Sequence, residues 1–140
     1  MARFVVESTV AMKWFVPENH SSDAARLLEG RHELLANDLL LPETSDIISR
    51  KALLGELTLK DCREIVTAVQ SVPVSIYPSK DLLEGALEIT VAMDRTLSDG
   101  LNLALAVQQD CRLVTARKSL HDSLQGTPFS VHVKWVGDVR

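Results

Sequence analysis

The chain has 140 residues, 46% of them hydrophobic and 24% charged, with 15 Lys and Arg against 19 Asp and Glu for a formal net charge of -4. That size and apolar content suffice for one sizeable core, so a single domain over residues 1–140 is expected. The negative balance excludes a protein that holds nucleic acid through a broad basic field, while leaving room for local basic patches.

The apolar stretches are short and interrupted by charges, below the roughly 18 to 20 residues of a membrane span, and the opening MARF has no signal-peptide character. A soluble cytoplasmic protein is expected. Cys62 and Cys111 lack CxxC spacing and read as two buried thiols. His20, His32, His121 and His132 lie far apart and suggest no metal site.

Residues 3–6 (RFVV) read as a short buried strand, with Glu7 at its C-terminal end. Ser8 or Thr9 then caps a helix through Phe15, which Pro17 stops. Residues 21–29 are helical in pattern, with Ala24, Ala25, Leu27 and Leu28 apolar and Gly30 at the end. Residues 34–36 suggest a short strand. Pro42 suits the first position of a helix to about Leu54. Thr58 to Asp61 is a capping-box pattern, opening a helix with Cys62, Ile65, Val66 and Val69 on one face. Residues 74–77 (VSIY) alternate as a strand does, and Ser79 is expected to cap a helix to about Met93. A second capping-box pattern, Thr96 to Asp99, opens a helix that turns Leu101, Ala104, Leu105 and Ala106 inward. Residues 111–115 (CRLVT) and 131–133 supply the last strands. Strands alternating with helices predict an α/β fold with a mainly parallel central sheet.

In such open sheets, ligands bind beyond the C-terminal ends of the strands, where strand order reverses. Glu7 stands at one such end, and the strand over 111–115 runs out just before Arg117 and Lys118. Glu43 and Asp99 each open a helix. Brought together, Glu7, Glu43 and Asp99 would crowd three negative charges into one cleft, which requires hard cations or positive side chains. Mg²⁺ or Mn²⁺ suits carboxylate and water ligands, and can position a phosphodiester and activate water. The sequence also admits local readings: Asp99 as the third residue of a capping box, and Glu43 as an acid favoured at a helix N-terminus. Lys13, Arg50, Lys51, Arg112, Arg117 and Lys118 are either phosphate contacts or solvated charges. Ser8 and Thr115 offer hydroxyls at strand ends, and Trp14 reads as core.

The segments VVESTVAMKWFVPE (5–18), LLLPE (39–43), GELT (55–58), TLSDGL (96–101) and LVTA (113–116) occur in an order that resembles the PIN-domain family, in particular the bacterial VapC-type toxins. The resemblance covers nearly the whole chain. It implies a three-layer α/β/α, Rossmann-like fold and a metal-dependent endoribonuclease, with Glu7, Glu43 and Asp99 binding Mg²⁺ or Mn²⁺. It also implies an RNA substrate, a homodimer, and a small VapB-like antitoxin whose C-terminal tail fills the acidic cleft, often with an arginine among the carboxylates. Two positions depart from the family pattern: Glu7 stands where Asp is usual, and Arg117 stands where a fourth acid is common. Arg117 either pairs with Glu7 or Asp99 and blocks metal entry, or holds the scissile phosphate. An alternative reading follows, a degenerate PIN domain acting as an RNA- or protein-binding module. A phosphoacceptor receiver domain fits less well, because only one acid follows the first strand and no lone Asp ends a central one.

Overall fold

The computed structural model describes residues 2–140, over which five strands alternate with seven α-helices. The strands are β1 (Ala2–Val6), β2 (His32–Asn37), β3 (Val74–Tyr77), β4 (Arg112–Thr115) and β5 (Val133–Trp135). Their order across the sheet is β3-β2-β1-β4-β5, and every neighbouring pair is parallel. The chain builds outward from β1 through β2 to β3, then crosses back to place β4 on the other side of β1. The order therefore reverses between β1 and β4, and the crevice at their C-terminal ends is where such a sheet receives a ligand.

Period-two alternation sends the strand side chains to two cores. Phe4, Val6, Leu34, Ala36 and Val114 face α1 (Ser8–Ala11), α2 (Ser21–Ala25) and the start of α3 (Leu40–Leu53). Val5, Leu35, Leu113 and Val133 face α5 (Leu83–Met93), α6 (Leu97–Gln108) and α7 (Lys118–Leu124). Helix α4 (Leu59–Ser71) packs outside α3, where Ile48, Cys62, Ile65 and Val69 close a third cluster with Met12 and Val16. The result is the expected three-layer α/β/α arrangement.

Helix α6 is buried continuously from Asp99 to Ala106, as a helix covered on all sides must be. Its approach to α5 depends on Gly100, because a Cβ there would run into Thr90 Oγ1 and the Ala86 carbonyl.

Several boundaries differ from the sequence expectation. The first helix ends at Ala11 and continues as a 3-10 turn over Met12–Trp14, and α2 likewise tightens into Arg26–Leu28. Helix α3 begins at Leu40, so Pro42 is its third residue; the first four helical N–H groups have no intrahelical acceptor, and the missing donor costs nothing there. Ser79 opens a 3-10 turn and α5 starts at Leu83. The last strand starts at Val133, because Thr127 accepts from Phe129 N and Pro128 leads a 3-10 turn to His132. Cys62 is buried as expected, but Cys111 is only half-buried. Burial raises the Cys111 thiol pKa and so disfavours its thiolate. Among the described residues no helix is long and apolar enough to cross a membrane.

Candidate functional site

Glu7 follows β1 directly and occupies the N-cap position of α1 in an extended backbone conformation. Its carboxylate is only 3% exposed, and both oxygens are engaged. Oε1 accepts from Thr9 Oγ1 at 2.5 Å and from Thr115 Oγ1 at 2.8 Å, and Oε2 accepts from Arg117 Nη2 at 2.8 Å. Thr115 reaches Glu7 because β4 lies beside β1, with Val6 in register with Val114.

Asp99 stands in the first turn of α6 and is 1% exposed. Thr96 Oγ1 accepts from Asp99 N at 3.1 Å, so half of the expected capping box forms. The reciprocal half does not, because the Asp99 carboxylate accepts from Arg95 Nε at 3.2 Å and from Arg117 Nη2 at 2.6 Å instead. Thr58 and Asp61, by contrast, complete both halves of their box. Competition decides the difference: a guanidinium gives a charged donor, which outweighs a neutral backbone N–H.

Arg117 therefore places one nitrogen between two buried carboxylates that lie far apart in the chain. Burial disfavours its charge, but the paired carboxylates of Glu7 and Asp99 more than offset this and hold the guanidinium above its ordinary pKa. Its own backbone N–H donates to Thr115 Oγ1 at 3.0 Å. The third acid, Glu43, extends from the first turn of α3 and accepts from Ser98 Oγ at 2.8 Å through Oε2. Glu7, Glu43, Asp99, Ser8 and Arg117 all line one cavity of about 180 Å³.

The remaining candidates lie elsewhere. Thr115 is buried, does not line the cavity, and reaches it only through its hydrogen bond to Glu7. Lys13 lines a neighbouring depression and pairs with Glu18 at 3.2 Å, while Lys51 pairs with the same carboxylate at 2.5 Å. Burial pushes the Glu18 carboxyl up, but Lys51 and Lys13 together bring it below the usual range. Arg50 pairs with Asp46, and Lys118 stands over the Trp135 ring. Trp14 packs against the core and donates through Nε1 to the Ala24 carbonyl. Sequence reasoning missed Thr9, Arg95, Ser98 and Asn102. The i,i+4 spacing of Arg95 and Asp99 was a legible signal for that pair. Asn102 carried none beyond being polar on an otherwise apolar helix.

An all-parallel three-layer sandwich with buried acids at its strand-order reversal is an α/β architecture of the PIN-like type. The solved structures it is similar to agree on that fold. A Pyrobaculum aerophilum protein, PAE2754, matches with a TM-score of 0.71 at 18% identity, over 96% of this chain and 84% of that one. VapBC2 of Rickettsia felis, bound to a fragment of promoter DNA, matches with a TM-score of 0.68 at 11% identity, over 95% and 98%. VapC20 of Mycobacterium tuberculosis, a sarcin-ricin loop cleaving toxin, matches with a TM-score of 0.64 at 16% identity, over 81% and 87%. At these identities the likeness concerns the fold: the chain has the PIN-like fold of VapC-type toxins. No family model and no curated relative matches it.

Whether the acids suit a divalent ion is decided by Arg117. Three carboxylates around one cavity are the right donors for Mg²⁺ or Mn²⁺. As arranged, however, no three His, Cys, Asp or Glu residues among those described are grouped to hold a metal. The position between Glu7 and Asp99 is filled by a guanidinium nitrogen at 2.8 and 2.6 Å. An ion and Arg117 exclude each other there.

Proposed function

We propose that the protein is a VapC-type PIN domain that binds RNA and whose endoribonuclease centre is held closed by its own Arg117. The observation that carries this reading is the single Arg117 nitrogen shared by Glu7 and Asp99. By formal counting, Glu7, Glu43 and Asp99 against Arg95 and Arg117 leave the pocket with one net negative charge, too little to draw in a divalent ion against a bound guanidinium. An antitoxin arginine placed among the carboxylates would do from outside what Arg117 does from within.

With Arg117 turned away, Glu7, Glu43 and Asp99 are the residues that would hold Mg²⁺ or Mn²⁺. Bound there, the ion would supply charge neutralisation for the phosphodiester and activation of water. The chain's own residues do the positioning. Thr9 and Thr115 orient the Glu7 carboxylate, Ser98 orients Glu43, and Arg117, once freed, is suited to grip phosphate bidentately.

The test is cleavage of a stem-loop RNA in Mg²⁺, Mn²⁺ or EDTA by the native protein, by Arg117→Asp, and by Arg117→Asp combined with Glu7→Asp. Near-blank native activity with metal-dependent cleavage in the variants is the expected result. Equal, metal-dependent cleavage by native protein would replace the closed centre with an ordinary metal-dependent endoribonuclease. Silence in all three would leave only a degenerate binding module. The same proposal places the protein in the cytoplasm as one domain, with a small VapB-like antitoxin and a second copy of itself as partners. Exposed Leu83, Leu87 and Val91, four residues apart along α5, support self-association.

A further inference from the structure

We infer that Asn102 is an RNA-contacting residue, whose side-chain NH₂ group is turned into the acidic pocket by a hydrogen-bond relay and donates to a phosphate oxygen of the bound strand. This rests on the RNA-binding reading above and identifies a residue by which the pocket would hold its ligand. Asn102 lies three residues after Asp99 on α6, on the same helix face, and lines the same cavity as Glu7, Glu43 and Asp99. It is 6% exposed. A polar side chain so deeply placed on an apolar helix is ordinarily satisfied on all sides.

Its orientation follows from atoms that cannot exchange roles. The backbone N–H of Leu39 donates to Asn37 Oδ1 at 2.8 Å. A backbone N–H can only donate, so Asn37 must present its oxygen to Leu39 and its Nδ2 to the other side. That Nδ2 donates to Asn102 Oδ1 at 2.8 Å. Asn102 is thereby obliged to turn its own NH₂ away from Asn37. Among the described residues that NH₂ has no hydrogen-bond partner, and it is not sealed from solvent. Arg117 Nη1 is a second unspent donor at the same cavity, since Nε and Nη2 make all the side-chain bonds of that residue.

Two unspent N–H donors suit an oxyanion with several acceptor oxygens. One carboxylate oxygen, Glu43 Oε1, is also unpartnered and suits a hydroxyl donor. A ribonucleotide offers both, phosphate oxygens that accept and a 2′-hydroxyl that donates. A free inorganic anion offers only the first, and meets the Glu43 charge with nothing to answer it.

The experiment measures binding of a fluorescent single-stranded RNA by anisotropy, in EDTA so that no cleavage occurs. Asn37→Asp is the informative variant. A carboxylate at position 37 still accepts from Leu39 N–H, but it can no longer donate, so Asn102 must rotate its NH₂ toward position 37 and present Oδ1 to the pocket. Asn37 does not line that cavity. The paired variant Asn37→Leu with Asn102→Leu removes the donor without adding charge, and guards against a simple electrostatic effect in the first. Each is expected to raise Kd by about tenfold, equivalent to about 1.4 kcal/mol, with a native-like circular dichroism spectrum. A Kd within about twofold of native in either folded variant overturns the role of Asn102 and leaves RNA binding standing. Absence of RNA binding by the native protein overturns the RNA reading and the inference together.

Discussion

Replacing Arg117 by alanine removes the cation shared by Glu7 and Asp99, which are 3% and 1% exposed. Breaking a fully buried ion pair from one side costs about 3–5 kcal/mol. Three features reduce that here: the Arg117 side chain is 35% exposed, Asp99 keeps Arg95, and Glu7 keeps the Thr9 and Thr115 hydroxyls. The expected loss is about 2 kcal/mol once solvent screening is counted, or a Tm lower by about 6–8 °C for a chain of this size. Calorimetry of native and Arg117→Ala protein in EDTA measures it directly. Mg²⁺ is then titrated into both. In the variant the ion enters the emptied position, and at a concentration one hundred times its Kd it returns about 2.7 kcal/mol, comparable to what was lost. The native Tm should barely respond. An Arg117→Ala protein as stable as native in EDTA, or an equal Mg²⁺ response in both, would refute the idea that Arg117 stands in for the ion.

The Glu18 carboxyl lies below its usual value of 4.5, so its stabilising effect is complete above that value and disappears as pH falls through its lower folded-state pKa. Urea unfolding at pH 7 and pH 3 should therefore show Glu18→Gln less stable by about 1 kcal/mol at pH 7, with the gap closing at pH 3; a gap that persists contradicts the assignment. Gly100→Ala should cost about 1–3 kcal/mol through overpacking of α5 on α6, read as a lower urea midpoint at unchanged slope. Thr115→Val keeps the shape of a buried side chain but deletes the hydroxyl that donates to Glu7 and accepts from Arg117 N, and should lower stability by about 1–2 kcal/mol in the same assay.

Much of this architecture was legible in the chain alone. An apolar run ending in Glu7, a helix opening near Glu43 and another near Asp99 are local patterns, and local patterns are set by propensity and periodicity. The alternation of strands and helices carried the layered α/β class for the same reason. The boundaries slipped where a tight 3-10 turn replaced a first helical turn, as at Ser79, or the start of a strand, as at Pro128. The pattern from Thr96 to Asp99 shows where local reading ends. Sequence lists which partners Asp99 has nearby, but Arg117, 18 residues further on, takes its carboxylate because α6 packs on β4 and so brings its first turn to the residues that follow that strand. Asn102 is the stronger case, since the direction its amide faces is decided by Asn37, 65 residues away, and through it by the N–H of Leu39. The sequence by itself determined which charged and polar groups the site would have. Only the tertiary structure decided which of them neutralise one another and which are left with an unmade bond, because hydrogen bonds and ion pairs act over a few ångströms and the fold alone brings distant residues that close.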